Sequence, residues 1–577
     1  MGETPTFLSI RLLTIKRVSA LNIRRYSISC SALVDMPWFV AGYGSVAHVA
    51  ATLVVQPKLM KRKLSTKFEH LLNIYLIVEH TKKDIMKQYY LYGASVQGIQ
   101  SYIFRTNELR NIVEASAKIE RICTADDDGL FRCFEENGGQ SVIRAAGNIK
   151  YIFATREACE KAVLEFPKKV MQYAPGITLS QAVVELEGND FERASDELEY
   201  KLRMQRNKPT MNVQLGLLGM NRDRKTGLPM VHEKDNGLQG PESDATERLC
   251  SKMFGNTALL QARTSKNITD FVQQNDWIAI VHADGNGLGQ VVQKLGGDKD
   301  TFSLFSKKLD EATCTAAKRA FESLTDEQKC GRKGIIPMRP IVLGGDDLTI
   351  VCRGDVALPF VKAYLCYFEE ETKRLLGDIM SMHHLFGKDP HLTACAGVAF
   401  IKSSYPFHYG YGLAENLCSQ AKADAKRKER LQAHDGLAPS CLMFYKVQDS
   451  FVEDFRSIEL RELTPCRGHS FKYGPYYLHE EQGRCTLDRF VGMCRRLDES
   501  KEGNAVKSAI RKWLTAMHSN VEVASQVKKR ALAMRPSDDL KALYESATCE
   551  ELRTETVKAC MAYDLLAYHA IVSQKTK

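Results

Sequence analysis

The sequence predicts an α+β chain in which one β-α-β-β-α-β module occurs twice. Three observations predict it. Short apolar runs and amphipathic stretches alternate in the same order in two separate regions. A glycine-aspartate turn joins two apolar strands in the second region. The final third is rich in helix-period patterns and aromatic residues. At 577 residues, 44% hydrophobic and 26% charged, the chain can bury several cores and has an ordinary globular composition.

The first copy reads as a strand over 89–95, helices over 99–104 and 109–121, a hairpin of 141–145 and 149–153, a helix over 155–170 and a strand over 179–186. The second reads as a strand over 277–284, a helix over 302–323, a hairpin over 340–351, a helix over 358–376 and a strand over 392–400. Each has the ferredoxin-like order, with helices expected on one face of an antiparallel sheet. Between the copies, a charged helix over 192–206, a Gly/Pro/Asp/Asn-rich loop over 220–244 and a helical pattern over 254–272 suggest a small helical domain and connector, 188–270. After the second copy come a helix over 413–430 and a last strand over 441–445. Helices over 486–497, 505–518, 521–533 and from 540 to the end form a helical C-terminal domain, 447–577.

Residues 1–85 carry 12 Lys/Arg against 5 Asp/Glu, which is most of the net charge of +10. The stretch 12–29 is basic and acid-free, as in a transit peptide. The mildly apolar run 32–55 is broken by Pro37, Gly42, Gly44 and His48 and makes a poor membrane helix. A short helix fits 68–79. Met86 stands just before the first strand, so translation from Met86, with 1–85 a basic extension outside the fold, is one reading. The 17 cysteines include no CxxC pair, which argues against a zinc ribbon and against a disulfide framework. No membrane partner is expected, and a reducing, cytoplasmic setting is.

The chemistry concentrates in 277–352. The apolar run Trp277–Val281 leads through His282 and Ala283 to Asp284 and then Gly285-Asn286-Gly287-Leu288-Gly289; the hairpin carries Gly344-Gly345-Asp346-Asp347 at its turn. An aspartate ending one strand and an aspartate pair on a neighbouring hairpin can converge on one point and hold two hard divalent cations, Mg²⁺ or Mn²⁺. Glycines leave backbone N–H groups accessible to phosphate oxygens. His282 is expected to pack or hydrogen-bond within the sheet. Asp and Gly are also ordinary turn residues, so the pair Asp346-Asp347 alone says little. Laid over the second copy, the first puts Ser95 where Asp284 stands and Ala145-Ala146-Gly147-Asn148 where Gly344–Asp347 stand. Neutral residues cannot neutralise a metal, so the chemistry belongs to the second copy. Ser403 and Ser404, after the fourth strand, are weaker candidates for touching a nucleotide. Lys472–Tyr477 could stack on nucleic acid, but packing against the second module is the expected role.

The Asp284–Gly289 and Gly344–Asp347 segments, with Val96-Gln97-Gly98-Ile99-Gln100-Ser101-Tyr102-Ile103-Phe104 upstream as a third element, resemble the large, palm-bearing subunit of type III CRISPR effectors, a nucleotidyl cyclase family. The resemblance spans about 86–577. It implies a first, degenerate palm (86–187) packed on a second, catalytic palm (271–446). It implies catalytic roles for Asp284, Asp346 and Asp347, with Gly285 joining them around the metals. Nucleotide contacts fall to Gly285, Asn286, Gly287, Gly289, Gly344, Gly345 and Lys422; Lys422 matches a triphosphate-binding lysine of related palms, though it and Lys426 also fit a solvated basic face. The implied activity is RNA-activated synthesis of cyclic oligoadenylate from ATP, with Cas subunits, guide RNA and target RNA as partners. A catalytically silent scaffold subunit or a stand-alone cyclase with another product are the alternatives. The family's HD nuclease domain and zinc-binding insertion have no counterpart pattern here; the one His-Asp pair, His434-Asp435, reads as loop.

Overall fold

The computed structural model describes residues 88–573 except 209–248 and shorter stretches, of which 256–262 is the longest. The transit-like stretch, the helix at 68–79, Met86, Ala146 and the loop 220–244 lie outside the described residues. The described chain is a mixed α+β structure of open sheets flanked by helices.

The first module runs β1 (Gln88–Gln97), α1 (Ile99–Ile103), α2 (Leu109–Thr124), β2 (Gln140–Ala145), β3 (Asn148–Phe153), α3 (Arg156–Tyr173) and β4 (Thr178–Glu187). Its antiparallel sheet has the order β2-β3-β1-β4. Helix α3 starts where the Thr155 side chain accepts from Ala158 N, an N-cap that satisfies one of the orphan amides. Helix α3 buries Cys159, Ala162, Phe166 and Val170 in a large core shared with Phe134 and Tyr151. The charged helix expected between the modules, α4 (Phe191–Arg206), lies on the other face of this same sheet. There Phe191, Ala194, Leu198 and Leu202 form a second, smaller core with Leu91, Val184 and Leu186.

The second module repeats the order: β5 (Trp277–Gly285), α5 (Leu288–Leu295), α6 (Lys299–Glu322), β6 (Met338–Gly344), β7 (Asp347–Arg353), α7 (Gly354–Met382) and β8 (Ala394–Lys402). Then α8 (Phe407–Ala425), α9 (Lys428–Ala433) and β9 (Cys441–Lys446) follow. The six-stranded sheet reads β10-β9-β8-β5-β7-β6, with β10 (Tyr476–Tyr477) at one edge and β9 parallel to β8. Within it, β6-β7-β5-β8 repeats the order β2-β3-β1-β4 of the first sheet. Strand β5 is apolar on both faces because both are covered: α6 and α7 pack on one, α8 on the other. Helix α8 comes so close that a Cβ on Gly397 would lie 1.9 Å from Ala414 O. Helices on both faces of both sheets correct the one-face expectation. The amphipathic patterns of α4 and α8 were legible, but not the side each takes.

Three further expectations change. Residues 249–254 are helical, but Gly255, at φ +89°, ends that helix, and among the described residues of the stretch expected to be helical a 3₁₀ turn, Ile268–Asp270, follows. The helix over 413–430 is two, because the chain breaks at Lys426 and Arg427 between α8 and α9. The C-terminal helices α10 (Leu487–Glu499), α11 (Gly503–Ser519), α12 (Val521–Ala533) and α13 (Asp538–Ala547) are as read. The helix drawn from 540 to the end is interrupted by short strands over 551–552 and 558–559 before α14 (Ala562–Val572). Helix α14 is buried against α7 and β9.

The modules pack reciprocally. Helix α2 touches its own β2 and the second module's β6, while α6 touches its own β6 and the first module's β2. The Ser116 hydroxyl on α2 donates to Ile341 O on β6. Substituting Gly397→Ala should destabilise the protein by at least about 3 kcal/mol in urea unfolding, because the intruding methyl meets main chain that cannot turn aside. A change within ±0.5 kcal/mol would mean that α8 is free to move off the sheet.

Candidate active site

The site is built by register. Strand β5 pairs with β7 so that Asp284 faces Asp347, and the β6–β7 hairpin pairs Gly344 with Asp347. That leaves Gly345 and Asp346 as a two-residue turn. Gly345 sits at φ +62° and Asp346 does not share the positive φ, the pattern of a type II′ hairpin. Helix α6 holds the turn in place: Gly345 N donates to Asp310 Oδ1 (3.1 Å), and the Thr313 hydroxyl donates to Gly345 O (2.5 Å). Gly285 lets Asp346 approach, since a Cβ there would lie 2.9 Å from Asp346 Cβ.

The result is that one carboxylate oxygen from each of Asp284, Asp346 and Asp347 lies within 4.8 Å of the others. Among the described residues this is the one group of three or more His, Cys, Asp or Glu side chains placed to share an ion. All three are half-buried. Burial first, then the charges of Asp347 and Asp284 and a hydrogen bond with Asp284, push Asp346 up to about 8. Burial and then Asp284 push Asp347 up to about 7, against the pull of Lys422. The Lys422 ammonium on α8 pairs with Asp284 and donates to Gly285 O at 2.8 Å. A cluster of hard oxygen donors that resists ionisation without a counter-charge fits a divalent cation.

The other sequence candidates divide. Gly344 sits in the hairpin, a Cβ there meeting Asp310. Gly287 takes φ +83° against Phe386 and Leu437, and Gly289 is exposed, with open space where a Cβ would stand. Asn286 turns inward: it is 1% exposed, its N–H donates to Thr393 O, and its side chain donates to Thr393 Oγ1 and Cys395 Sγ. It ties the loop to the start of β8 rather than facing the aspartates. His282 is buried, hydrogen-bonded to Thr349 Oγ1 at 3.1 Å and edge-on to Tyr411, a sheet role as expected. Lys426 is the exposed C-cap of α8 and holds no place at the cluster.

Ser403 and Ser404 lie at the other end of the sheet. Ser403 N donates to Asp276 O just before β5 begins, while the aspartates stand where β5 ends. Phe471, Tyr473, Tyr476 and Tyr477 are all buried, so those rings pack rather than stack on nucleic acid. Tyr477 OH donates to Asp424 on α8, which also holds Arg484 and Arg430. His434 caps α9 and Asp435 takes φ +51° in the following turn, the loop expected.

Sequence reading missed the second ring of residues. Asp310 and Thr313 belong to it, and so does Glu415, whose charge reaches Asp347. Glu415 accepts from Gln100 Nε2 of the first module at 2.8 Å, and Phe104 stacks on Tyr411 at 3.9 Å. The upstream signature 96–104 thus meets α8 beside the cluster. Glu415 stands seven residues before Lys422 on one helix face, a spacing visible in the sequence. Asp310 and Thr313 lie some thirty residues from their turn, with no local signal.

The first module repeats the register without the charge. Ser95 faces Asn148 as Asp284 faces Asp347, with Ser95 Oγ 3.0 Å from Asn148 Oδ1, and Ala145 pairs with Asn148 as Gly344 pairs with Asp347.

Residues 277–432 match the family described as Cas10/Cmr2, second palm domain. The second module is a Cas10/Cmr2-like palm. Two crystal structures share the fold: the Csm1-Csm4 cassette in complex with cA3 (TM-score 0.51, 13% identity, covering 84% of this chain and 69% of that chain), and the same cassette in complex with one ATP (TM-score 0.51, 14% identity, covering 84% and 70%). At that identity the likeness is one of fold. No curated protein matches the chain. No described helix is long and apolar enough to cross a membrane.

The raised carboxyls fix a sign for pH dependence. Their folded pKa values exceed the ordinary carboxylate value of 3.8, so the folded protein holds protons that the unfolded chain releases. Without metal, the contribution of these two carboxyls to stability is fullest below that ordinary value and is lost as pH rises to about 8. Thermal melts in chelator should show Tm falling from pH 5 to pH 8. Asp346→Asn should flatten the slope, and added Mn²⁺ should raise Tm more at pH 8 than at pH 6. An unchanged slope in Asp346→Asn would contradict the placement of these carboxyls.

Proposed function

We propose that this chain makes cyclic oligoadenylate from ATP by divalent-metal-dependent nucleotidyl transfer, as the large palm-bearing subunit of an RNA-activated type III CRISPR effector. The observation that carries the reading is the three-aspartate cluster at the end of a sheet that matches the Cas10/Cmr2 second palm. The fold shared with a cassette crystallised with cA3 and with one ATP supports the choice of substrate and product. In this reading the architecture is two ferredoxin-like palms, 86–187 and 271–446. The segment 188–270 lies between them, its helix α4 seated on the first sheet, and a helical domain, 447–577, follows. Cas subunits with guide and target RNA are the partners, in the cytoplasm.

Asp284, Asp346 and Asp347 would hold Mg²⁺ or Mn²⁺, with Gly285 beside them; two such ions supply charge neutralisation and activation of an attacking hydroxyl. The chain's own part is positioning. Gly344 and Gly345 keep the turn free of bulky side chains where a triphosphate would approach, and Gly289 leaves open space on the opposite loop, whereas Gly287 closes against Phe386 and Leu437. Lys422, which now pairs with Asp284, would be available to phosphate oxygens once cations neutralise that carboxylate. Asn286 serves from below, fixing the loop that carries Gly285 and Gly287. Attack of a 3′-hydroxyl on an α-phosphate expels pyrophosphate, and repetition with closure gives the ring. Such transfer asks for alignment and charge more than for a covalent group, which fits a site of carboxylates and glycines.

The test is product formation from labelled ATP with Mg²⁺ or Mn²⁺ and with the partner complex and target RNA. The wild type should release pyrophosphate and a cyclic adenylate, and Asp346→Ala/Asp347→Ala should lose at least about 10³-fold of that activity while keeping the fold. Nucleotide binding without turnover in the assembled, RNA-bound complex would overturn the reading.

A further inference from the structure

At the end of the second sheet away from the aspartates, positive side chains from two strands converge on one tryptophan, with two more on a neighbouring helix. Trp277 opens β5 and pairs across the strands with Lys402 at the end of β8, and Lys446 ends the neighbouring β9. The Lys402 ammonium lies 3.9 Å from the indole centroid and the Lys446 ammonium 4.6 Å from the same ring. Helix α11 adds Lys507 and Arg511, one turn apart. Lys507 Nζ is 3.2 Å from His569 Nε2 on α14, and Arg511, which is exposed, acts on both Lys446 and His569. Carboxylates in this region include Asp276, whose charge acts on Lys402, Asp498, 3.2 Å from His569, and Asp355, which pairs with Arg353 at the start of α7.

The indole holds two ammoniums without neutralising either. Burial and then the charges of Lys402 and Arg511 lower the pKa of Lys446, so the cluster already pays for its crowding. Neighbouring strands stand about 4.8 Å apart and successive helical turns bring side chains about 5–6 Å apart. Charges at that density match the closely spaced phosphates of a nucleic-acid strand better than the scattered carboxylates of a folded protein.

We propose that this end of the second sheet, with α11, binds the phosphodiester backbone of a single-stranded nucleic acid through Lys402, Lys446, Lys507 and Arg511. The surface is separate from the aspartate cluster, and its role does not depend on the reaction assigned there. Backbone contact of this kind is insensitive to base sequence and steeply salt-dependent, because each neutralised phosphate releases a counterion.

The experiment is fluorescence anisotropy of a labelled 20-nucleotide single-stranded RNA with the full chain, at about 50 and 200 mM salt. Lys402→Glu/Lys446→Glu should weaken binding at least about tenfold and reduce the salt slope. Lys161→Glu/Lys168→Glu on α3, an equal change of charge elsewhere, should leave both near the wild type. Since the lysines also pack on Trp277, Lys507→Glu/Arg511→Glu on the helix surface reads the same property should the first variant fail to fold. Equal weakening by the α3 control would overturn the proposal. So would salt-independent or absent RNA binding by the wild type, or displacement of the RNA by polyglutamate as readily as by polyuridylate of equal charge.

Discussion

Three carboxylates within 4.8 Å repel one another, and the fold must hold them there against that repulsion. It does so with main chain rather than side chain. The pairing of β5 with β7 fixes Asp284 opposite Asp347, and a two-residue turn leaves Asp346 no other direction to take. Everything around the site braces those two facts. Helix α6 grips the turn from one side through Asp310 and Thr313. Helix α8 brings Lys422 from the other and is pinned to the sheet at Gly397. A one-residue slip of β7 against β5 would put Asp347 on the wrong face and dissolve the cluster.

The same constraint explains why one fold appears twice with one charged site. The first sheet keeps the neighbour relations of the second and even the pairing of the diagnostic positions, Ser95 with Asn148. With neutral side chains there is no repulsion to restrain, and the two groups simply lie within hydrogen-bond distance. The duplicated module still contributes to the site from outside. Its signature segment delivers Gln100 to Glu415 and Phe104 to Tyr411, so α8 is seated between the modules and carries Lys422 on the same length of helix.

Local chemistry was legible in the sequence and long-range chemistry was not. Strand β5, the Gly344–Asp347 turn and the double β-α-β-β-α-β order follow from apolar runs and turn residues a few positions apart. Lys422 came from resemblance and is found at Asp284. The face chosen by α4, the inward turn of Asn286, the remote position of Ser403 and Ser404, and the grip of Asp310 and Thr313 all depend on partners far away in the chain. Their hydrogen bonds span from 32 to 127 residues, a separation over which periodicity carries no information.

The claim on which the rest stands is that the second module's aspartates, and not their neutral counterparts in the first, hold divalent cations. Mn²⁺ titration followed by the loss of its free electron-paramagnetic signal tests it most directly, using the wild type, Asp284→Asn/Asp346→Asn and Ser95→Ala/Asn148→Ala. The account predicts that the aspartate variant loses Mn²⁺ uptake while the first-module variant binds as the wild type does. Undiminished uptake in the aspartate variant, or loss in the first-module one, would contradict it.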